Sequence, residues 1–92
     1  MIFIGYTQKL GRVDVNGIEK YRKNNDVEKV IVFCREEPVK KVKDLAKDYE
    51  IVITDSPRKE AKAKAKELKR DGKTVKVFDL QDFGERAIRD VC

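Results

Sequence analysis

The sequence contains no histidine, and it is poor in cysteine and glycine. Without histidine, an imidazole-based zinc site, a Ser-His-Asp triad and a Cys-His dyad are all excluded. Two widely separated cysteines, Cys34 and Cys92, form no Cys-x-x-Cys motif and so do not indicate a metal site. The five glycines form neither a Gly-x-Gly-x-x-Gly nor a P-loop pattern, which excludes the standard dinucleotide and P-loop phosphate cradles.

Long apolar segments are also absent. No run approaches the ~18 apolar residues that a transmembrane helix requires, so we expect no membrane partner. The sparse cysteines favour a reduced protein in the cytoplasm, and we expect neither a metal nor a cofactor. The pattern does not specify an oligomeric state.

Charged residues, in contrast, are abundant. They make up 42% of the 92 residues, against about 25% in an average soluble protein. Hydrophobic residues account for 40%, enough for one thin core, and we therefore expect a single domain over 1–92. Abundant Lys, Glu, Val and Ile are typical of thermostable proteins from heat-adapted sources, and of idealised or engineered sequences.

Short apolar runs alternate with amphipathic segments along the chain. The runs at 1–6, 29–34, 51–54 and 75–80 predict four β-strands. A fifth segment, Arg12 to Val15, alternates with period two and predicts a short edge strand. Strands separated by helices of this length indicate βαβ units and a mostly parallel sheet.

Four helices are expected between and after these strands. Asn16 is the predicted cap of the first, and Pro38 the first residue of the second. The third runs from the Asp55-Ser56-Pro57 cap to about Arg70, where Asp71-Gly72 ends it. The inward positions of the other three are Ile18 and Tyr21, then Val39, Val42, Ala46 and Tyr49, then Phe83, Ala87, Ile88 and Val91. The predicted fold is a three-layer α/β domain of Rossmann-like or flavodoxin-like type.

Positive charge is concentrated in one stretch of the chain. Residues 56–76 contain nine basic and three acidic side chains, whereas the remainder has a net charge of −1. At 100° per residue, most of these cations fall on one arc of about 120° on the third helix. They are Arg58, Lys59, Lys62, Lys66, Lys69 and Arg70.

A row of lysines can also be an ordinary solvated helix face, with its stems covering the edge of the core. Such a face would favour Glu–Lys pairs four residues apart. Here Arg58–Lys62, Lys62–Lys66 and Lys66–Arg70 are like-charged, and each pair costs about 0.2–0.5 kcal/mol. This pattern favours contact with nucleic acid or another polyanion, although an acidic protein partner is compatible with it too.

Ligands in open α/β sheets bind at the carboxyl ends of the strands. At that edge the segment 30–35, Val-Ile-Val-Phe-Cys-Arg, resembles the entry to a rhodanese active loop. The resemblance implies a reactive thiolate at Cys34, supported by Arg35. The loop departs from the family pattern in lacking its glycine and in continuing with Glu36 and Glu37, which would oppose an anion.

The segment 52–59 and the helix after it resemble the second half of a Toprim domain, a family that binds magnesium through carboxylates. Asp55 matches the first aspartate of the family's Asp-x-Asp motif, but Pro57 replaces the second. Tyr6 or Thr7 lies where the family has a glutamate. The resemblance implies at most a non-catalytic relative.

Three functions are therefore open. The first is a non-catalytic binding module whose basic helix, 58–70, contacts nucleic acid or another polyanion. The second is a stable scaffold without an evolved ligand. The third is an enzyme-like site at the strand ends, built on Cys34 and Arg35 or on Asp55.

Overall fold

The computed structural model of the chain describes residues 1–81. Strands and helices alternate throughout this part of the chain. No helix within it is long and apolar enough to cross a membrane. In chain order, the elements are β1 (Ile2–Lys9), α1 (Arg12–Asn24), β2 (Lys29–Glu36), α2 (Lys40–Leu45), β3 (Glu50–Ile53), α3 (Pro57–Arg70) and β4 (Val75–Asp79).

The four strands form one parallel sheet in the order β3-β2-β1-β4. The central strand β1 pairs Ile4 with Ile31 of β2 on one side and with Val77 of β4 on the other. This order is that of the first four strands of a doubly wound Rossmann sheet, in which the strand order reverses beside β1. The predicted α/β fold class and its parallel sheet are confirmed.

Helices cover both faces of the sheet, because successive side chains of a strand point to opposite sides. In β1, Phe3 belongs to the core that Val15 and Ile18 of α1 and Val42 of α2 complete. Its neighbours Ile2 and Ile4 belong to a second core, under α3. We call these two sides of the sheet the α1/α2 face and the α3 face.

The predicted edge strand at Arg12 to Val15 is wrong, since these residues form the first turn of α1. Asn16, the predicted cap, lies inside that helix, and the capping position is Gly11. The Gly11 N–H donates a hydrogen bond of 2.8 Å to Asp14 Oδ2, which satisfies a donor that the helix itself leaves unpaired. Four alternating residues fit a helix turn as well as a strand, and burial of Val15 and Ile18 selects the helix.

Helix α2 is shorter than predicted. Pro38 is buried but precedes the helix, and Val39, which occupies the N-cap position, is 53% exposed rather than inward. Val42 and Ala46 are buried as expected. Tyr49 is buried as well, but it lies beyond the helix, immediately before β3.

The other boundaries differ by a few residues. Strand β1 continues past Tyr6 to Lys9, because β2 runs alongside it and pairs Glu36 with Lys9. Strand β4 ends at Asp79, one residue before the predicted end. The predicted closing helix, with Phe83, Ala87, Ile88 and Val91, lies outside the described residues, as does Cys92.

Candidate functional site

Helix α3 has clear local signals at both ends. Ser56 is at the N-cap position and Pro57 opens the first turn, although the Ser56 side chain makes no capping hydrogen bond. At the other end Gly72 adopts a positive φ of 82°. The Gly72 N–H donates to the carbonyl of Lys69 and the Lys73 N–H to that of Leu68, both at 3.0 Å. This arrangement is a Schellman motif, which requires the left-handed conformation that glycine tolerates.

The α3 face is held by small side chains. Ala61 and Ala65 are 0% and 4% exposed and pack on Ile2, Ile4 and Phe33 of the sheet, with Leu68 partly buried beside them. Alanine at the contact brings the helix backbone close to the strands. The helix touches β1, β2 and β4 and is therefore fixed along most of its length.

The flank of α3 next to its buried stripe is strongly cationic. We call its six exposed cations the basic face. None of them forms an ion pair with any residue in 1–81. The basic face comprises all six positions predicted from the sequence: Arg58, Lys59, Lys62, Lys66, Lys69 and Arg70.

The two flanks of α3 carry opposite charge. On the helical wheel, Glu60 and Glu67 lie within about 20° of each other and outside the basic arc. Lys64 lies on this acidic flank and forms an ion pair of 3.7 Å with Glu67. The only cation of α3 with a carboxylate partner among residues 1–81 is therefore the one outside the basic face.

An open depression of about 450 Å³ lies at the first turn of α3. It is lined by Ser56, Pro57, Arg58, Lys59 and Lys62. The backbone N–H groups of a first helical turn carry partial positive charge, which adds to that of the three cations. The first turn of α3 therefore adds to the positive potential of the basic face at this end of the helix.

Cys34 has the environment of a structural thiol. It is 0% exposed and pairs with Thr7 of β1 and Ile53 of β3 inside the sheet. Burial raises the pKa of the Cys34 thiol, which disfavours the thiolate that a nucleophile requires. Arg35, the next residue of the strand, points to the other side of the sheet and is exposed.

Asp55 is an exposed residue of the β3–α3 connection. Strand β3 is at the edge of the sheet, two strands from β1, so Tyr6 and Thr7 lie about 10 Å away across the ladder. No cluster of three Cys, Asp or Glu side chains within residues 1–81 is arranged to hold a metal ion. The structure therefore does not bring Asp55 together with the other positions of the Toprim resemblance.

The strand-order reversal lies between β1 and β4, where Rossmann-like sheets bind ligands. Here Leu80, which follows β4, is 1% exposed and lies over Gly5 of β1. A Cβ atom on Gly5 would come within 2.9 Å of Leu80 Cδ2. Sequence reasoning missed this contact, and the only signal for it was a glycine inside an apolar strand. The crevice is filled at this point by the protein's own side chain.

Comparisons with protein-family models, curated proteins and solved structures found no match to this chain. Its function is therefore argued from its own residues.

Proposed function

We propose that this chain is a small non-catalytic binding module, and that its basic face docks on nucleic acid or another polyanion. One observation carries the proposal: six exposed cations share one side of a fixed helix, and none is paired within residues 1–81. A cation without a partner in the protein is free to contact a phosphate and release its counterions.

The energetics of α3 support the same function. Lys62 has a like-charged neighbour four residues away on each side, Arg58 and Lys66, and Lys66 has a second in Arg70. Each such pair destabilises a helix by about 0.2–0.5 kcal/mol. A polyanion bound along the row would convert these repulsions into attractions.

The strand ends support an enzyme-like function less well. Cys34 is fully buried, and among residues 1–81 Asp55 belongs to no group of carboxylates that could share a metal. The crevice where Rossmann-like sheets bind ligands is filled at Gly5 by Leu80. The basic face is the part of residues 1–81 with unpaired charge in a regular arrangement.

The test is a binding measurement. Fluorescence anisotropy would follow labelled 20-base-pair DNA, single-stranded DNA, RNA and heparin at 50 and 200 mM salt. With four to six phosphate contacts we expect duplex affinity to fall about 10²–10³-fold between these salt concentrations. Lys62→Glu/Lys66→Glu is expected to weaken binding at least about 10-fold and to reduce the salt slope by about 2.

The matched control is Lys20→Glu/Lys23→Glu. It makes the same change in net charge with two exposed lysines of α1, on the other face of the sheet. We expect it to reduce affinity far less than Lys62→Glu/Lys66→Glu. If no polyanion binds at 50 mM salt, or if both variants weaken binding equally, the proposal is wrong and a scaffold without a ligand becomes the better interpretation.

A further inference from the structure

We infer that the partner is a nucleic-acid duplex, and that α3 lies along the phosphates of one strand without entering a groove. This inference rests on the proposed function and narrows it to one class of partner and one binding geometry. It follows from the asymmetry of α3, from the axial spacing of its cations and from the location of the aromatic residues.

The opposite charge of the two flanks of α3 determines how this helix can lie on a duplex. A helix with side chains is about as wide as the major groove, so a helix inside the groove faces phosphates on both walls. The basic face could contact one wall only. Glu60 and Glu67, both exposed, would then lie against the other wall and repel it. A helix placed along one strand turns this acidic flank away from the duplex.

The axial spacing fits a row of phosphates. The cations occupy four levels of α3, spaced by about 5–6 Å and spanning about 18 Å in total. Successive phosphates of one strand rise about 3.4 Å along the duplex axis and turn by about 35° around it, so a straight helix of this length stays close to about three or four of them. Because α3 is fixed on three strands, the row of cations is stiff, and so is the phosphate row of a duplex over this distance. The levels are Arg58 with Lys59, then Lys62, then Lys66, then Lys69 with Arg70.

The aromatic residues disfavour a single strand. Proteins that bind single strands stack the bases on exposed aromatic side chains. Within residues 1–81 every aromatic side chain is buried or partly buried in one of the two cores, and none lies on α3. A helix that stays outside the grooves contacts phosphates and does not reach base edges, so we expect binding to be independent of sequence.

The first experiment compares partners. Anisotropy with the full chain at 100 mM salt would use two 20-base-pair duplexes of unrelated sequence and each of their single strands. We expect the duplexes to bind at least about 10-fold more tightly than the strands, and to differ from each other by less than about 3-fold. Equal or tighter binding of the single strands would overturn the inference. If those strands lose affinity in Lys62→Glu/Lys66→Glu, the proposed function still stands.

The second experiment tests the geometry with Glu60→Gln/Glu67→Gln. A helix inside the groove would gain two favourable approaches to phosphate, so affinity would rise more than 10-fold. A helix along one strand would gain only what any loss of two negative charges produces. The control Asp26→Asn/Asp44→Asn removes two exposed carboxylates from other parts of the chain. We expect both variants to raise affinity by the same factor, below about 3-fold. A gain confined to Glu60→Gln/Glu67→Gln would overturn the geometry.

Discussion

The two faces of the sheet differ in how the cations of their helices are paired with carboxylates. On the α1/α2 face, Arg22 Nη1 donates to Glu19 Oε2 at 3.0 Å and to Asp48 Oδ2 at 2.9 Å, and the guanidinium lies 5.9 Å from the centre of the Tyr49 ring. The Tyr49 hydroxyl donates to the same Glu19 carboxylate. On the α3 face, the six cations of the basic face have no such partners within residues 1–81.

The two faces also differ in the size of the side chains that pack there. Phe3 stacks on Phe78 at 4.6 Å and meets Tyr21 edge-on at 5.5 Å, so large side chains fill the α1/α2 face. The α3 face is closed by Ala61 and Ala65. One face is therefore held by large side chains and by ion pairs between residues distant in the chain. The other face positions a helix whose row of cations has no carboxylate partner within residues 1–81, and under the proposed function these are the charges that would contact a polyanion.

The largest effect on stability is expected from a substitution in the core of the α1/α2 face. Leu80→Ala removes a fully buried side chain and should lower the free energy of unfolding by about 2–5 kcal/mol. Ala61→Gly, which removes one buried methyl group on the α3 face, should cost about 1 kcal/mol through helix propensity. Urea denaturation measures both values. A cost of Leu80→Ala well below about 2 kcal/mol would contradict the place of Leu80 in the core of the α1/α2 face.

The contact between Leu80 and Gly5 sharpens this prediction. Gly5→Ala places a methyl group about 3 Å from Leu80 and should cost about 1–3 kcal/mol in the wild type. In the Leu80→Ala background the clash is gone, so the same change should cost much less. A coupling of about 0.5–3 kcal/mol is therefore expected from the double-mutant cycle. Strict additivity would show that Leu80 does not occupy the crevice.

A smaller effect concerns the polar cluster of the α1/α2 face. Burial, and next the Glu19 carboxylate, raise the pKa of the Tyr49 hydroxyl above its ordinary 10.0. Above pH 10 the unfolded chain therefore loses the Tyr49 proton while the native state retains it. The unfolding free energy should accordingly fall as pH rises above about 10.

Tyr49→Phe removes this contribution, so its stability should fall less steeply between pH 9 and 11. The pKa of the Cys34 thiol is also raised by burial and adds a similar loss beginning near its ordinary value of 9.0. The Cys34→Ala variant separates the two contributions to the pH dependence of stability, because it removes that of the thiol and keeps that of the Tyr49 hydroxyl. Denaturant titrations at each pH provide the measurement. Identical pH profiles for wild type and Tyr49→Phe would show that folding does not raise the pKa of the Tyr49 hydroxyl.

Features that depend only on neighbouring residues of the chain, such as helix ends and strands, could be predicted from the sequence. The ends of α3 follow from Pro57 and Gly72, and its basic arc follows from helical periodicity. The basic face could therefore be predicted from the sequence alone. The apolar runs likewise predicted the four strands of the fold. The first turn of α1 could not be predicted, because the segment Arg12 to Val15 fits a strand equally well until the burial of its side chains is known.

Contacts between distant residues could not be predicted. Tyr49 and Glu19 are separated by 30 residues and Arg22 and Asp48 by 26, and no pattern within one element joins them. The same holds for Leu80 over Gly5. The sequence shows which cations of α3 share a side. That they lack partners within residues 1–81 depends on where the acidic residues of other elements lie, which only the fold determines.

The smallest expected effect concerns the basic face and has the opposite sign. Lys62→Glu converts the repulsions with Arg58 and Lys66 into attractions, so we expect the unfolding free energy to rise by up to about 1 kcal/mol at low salt. Lys62→Gln, which only removes the charge, should produce about half of that gain. At 1 M salt the gain should disappear, because exposed charges are then screened.

Lys20→Glu is the matched control for this gain. Lys20 has Asn16 and Asn24 four residues away and one cation, Lys23, three residues away. Lys62 has three cations at these spacings, Arg58, Lys59 and Lys66, so reversing the charge of Lys62 forms more new pairs than reversing that of Lys20. A gain in stability that is clearly larger at Lys62 than at Lys20, together with weaker binding to duplex DNA, would show that the native lysine costs stability and serves recognition. If Lys62→Glu instead destabilises the fold at low salt, the row of cations carries no such cost. The like-charged pairs of α3 would then no longer favour a polyanionic partner, and only the unpaired charge of the basic face would.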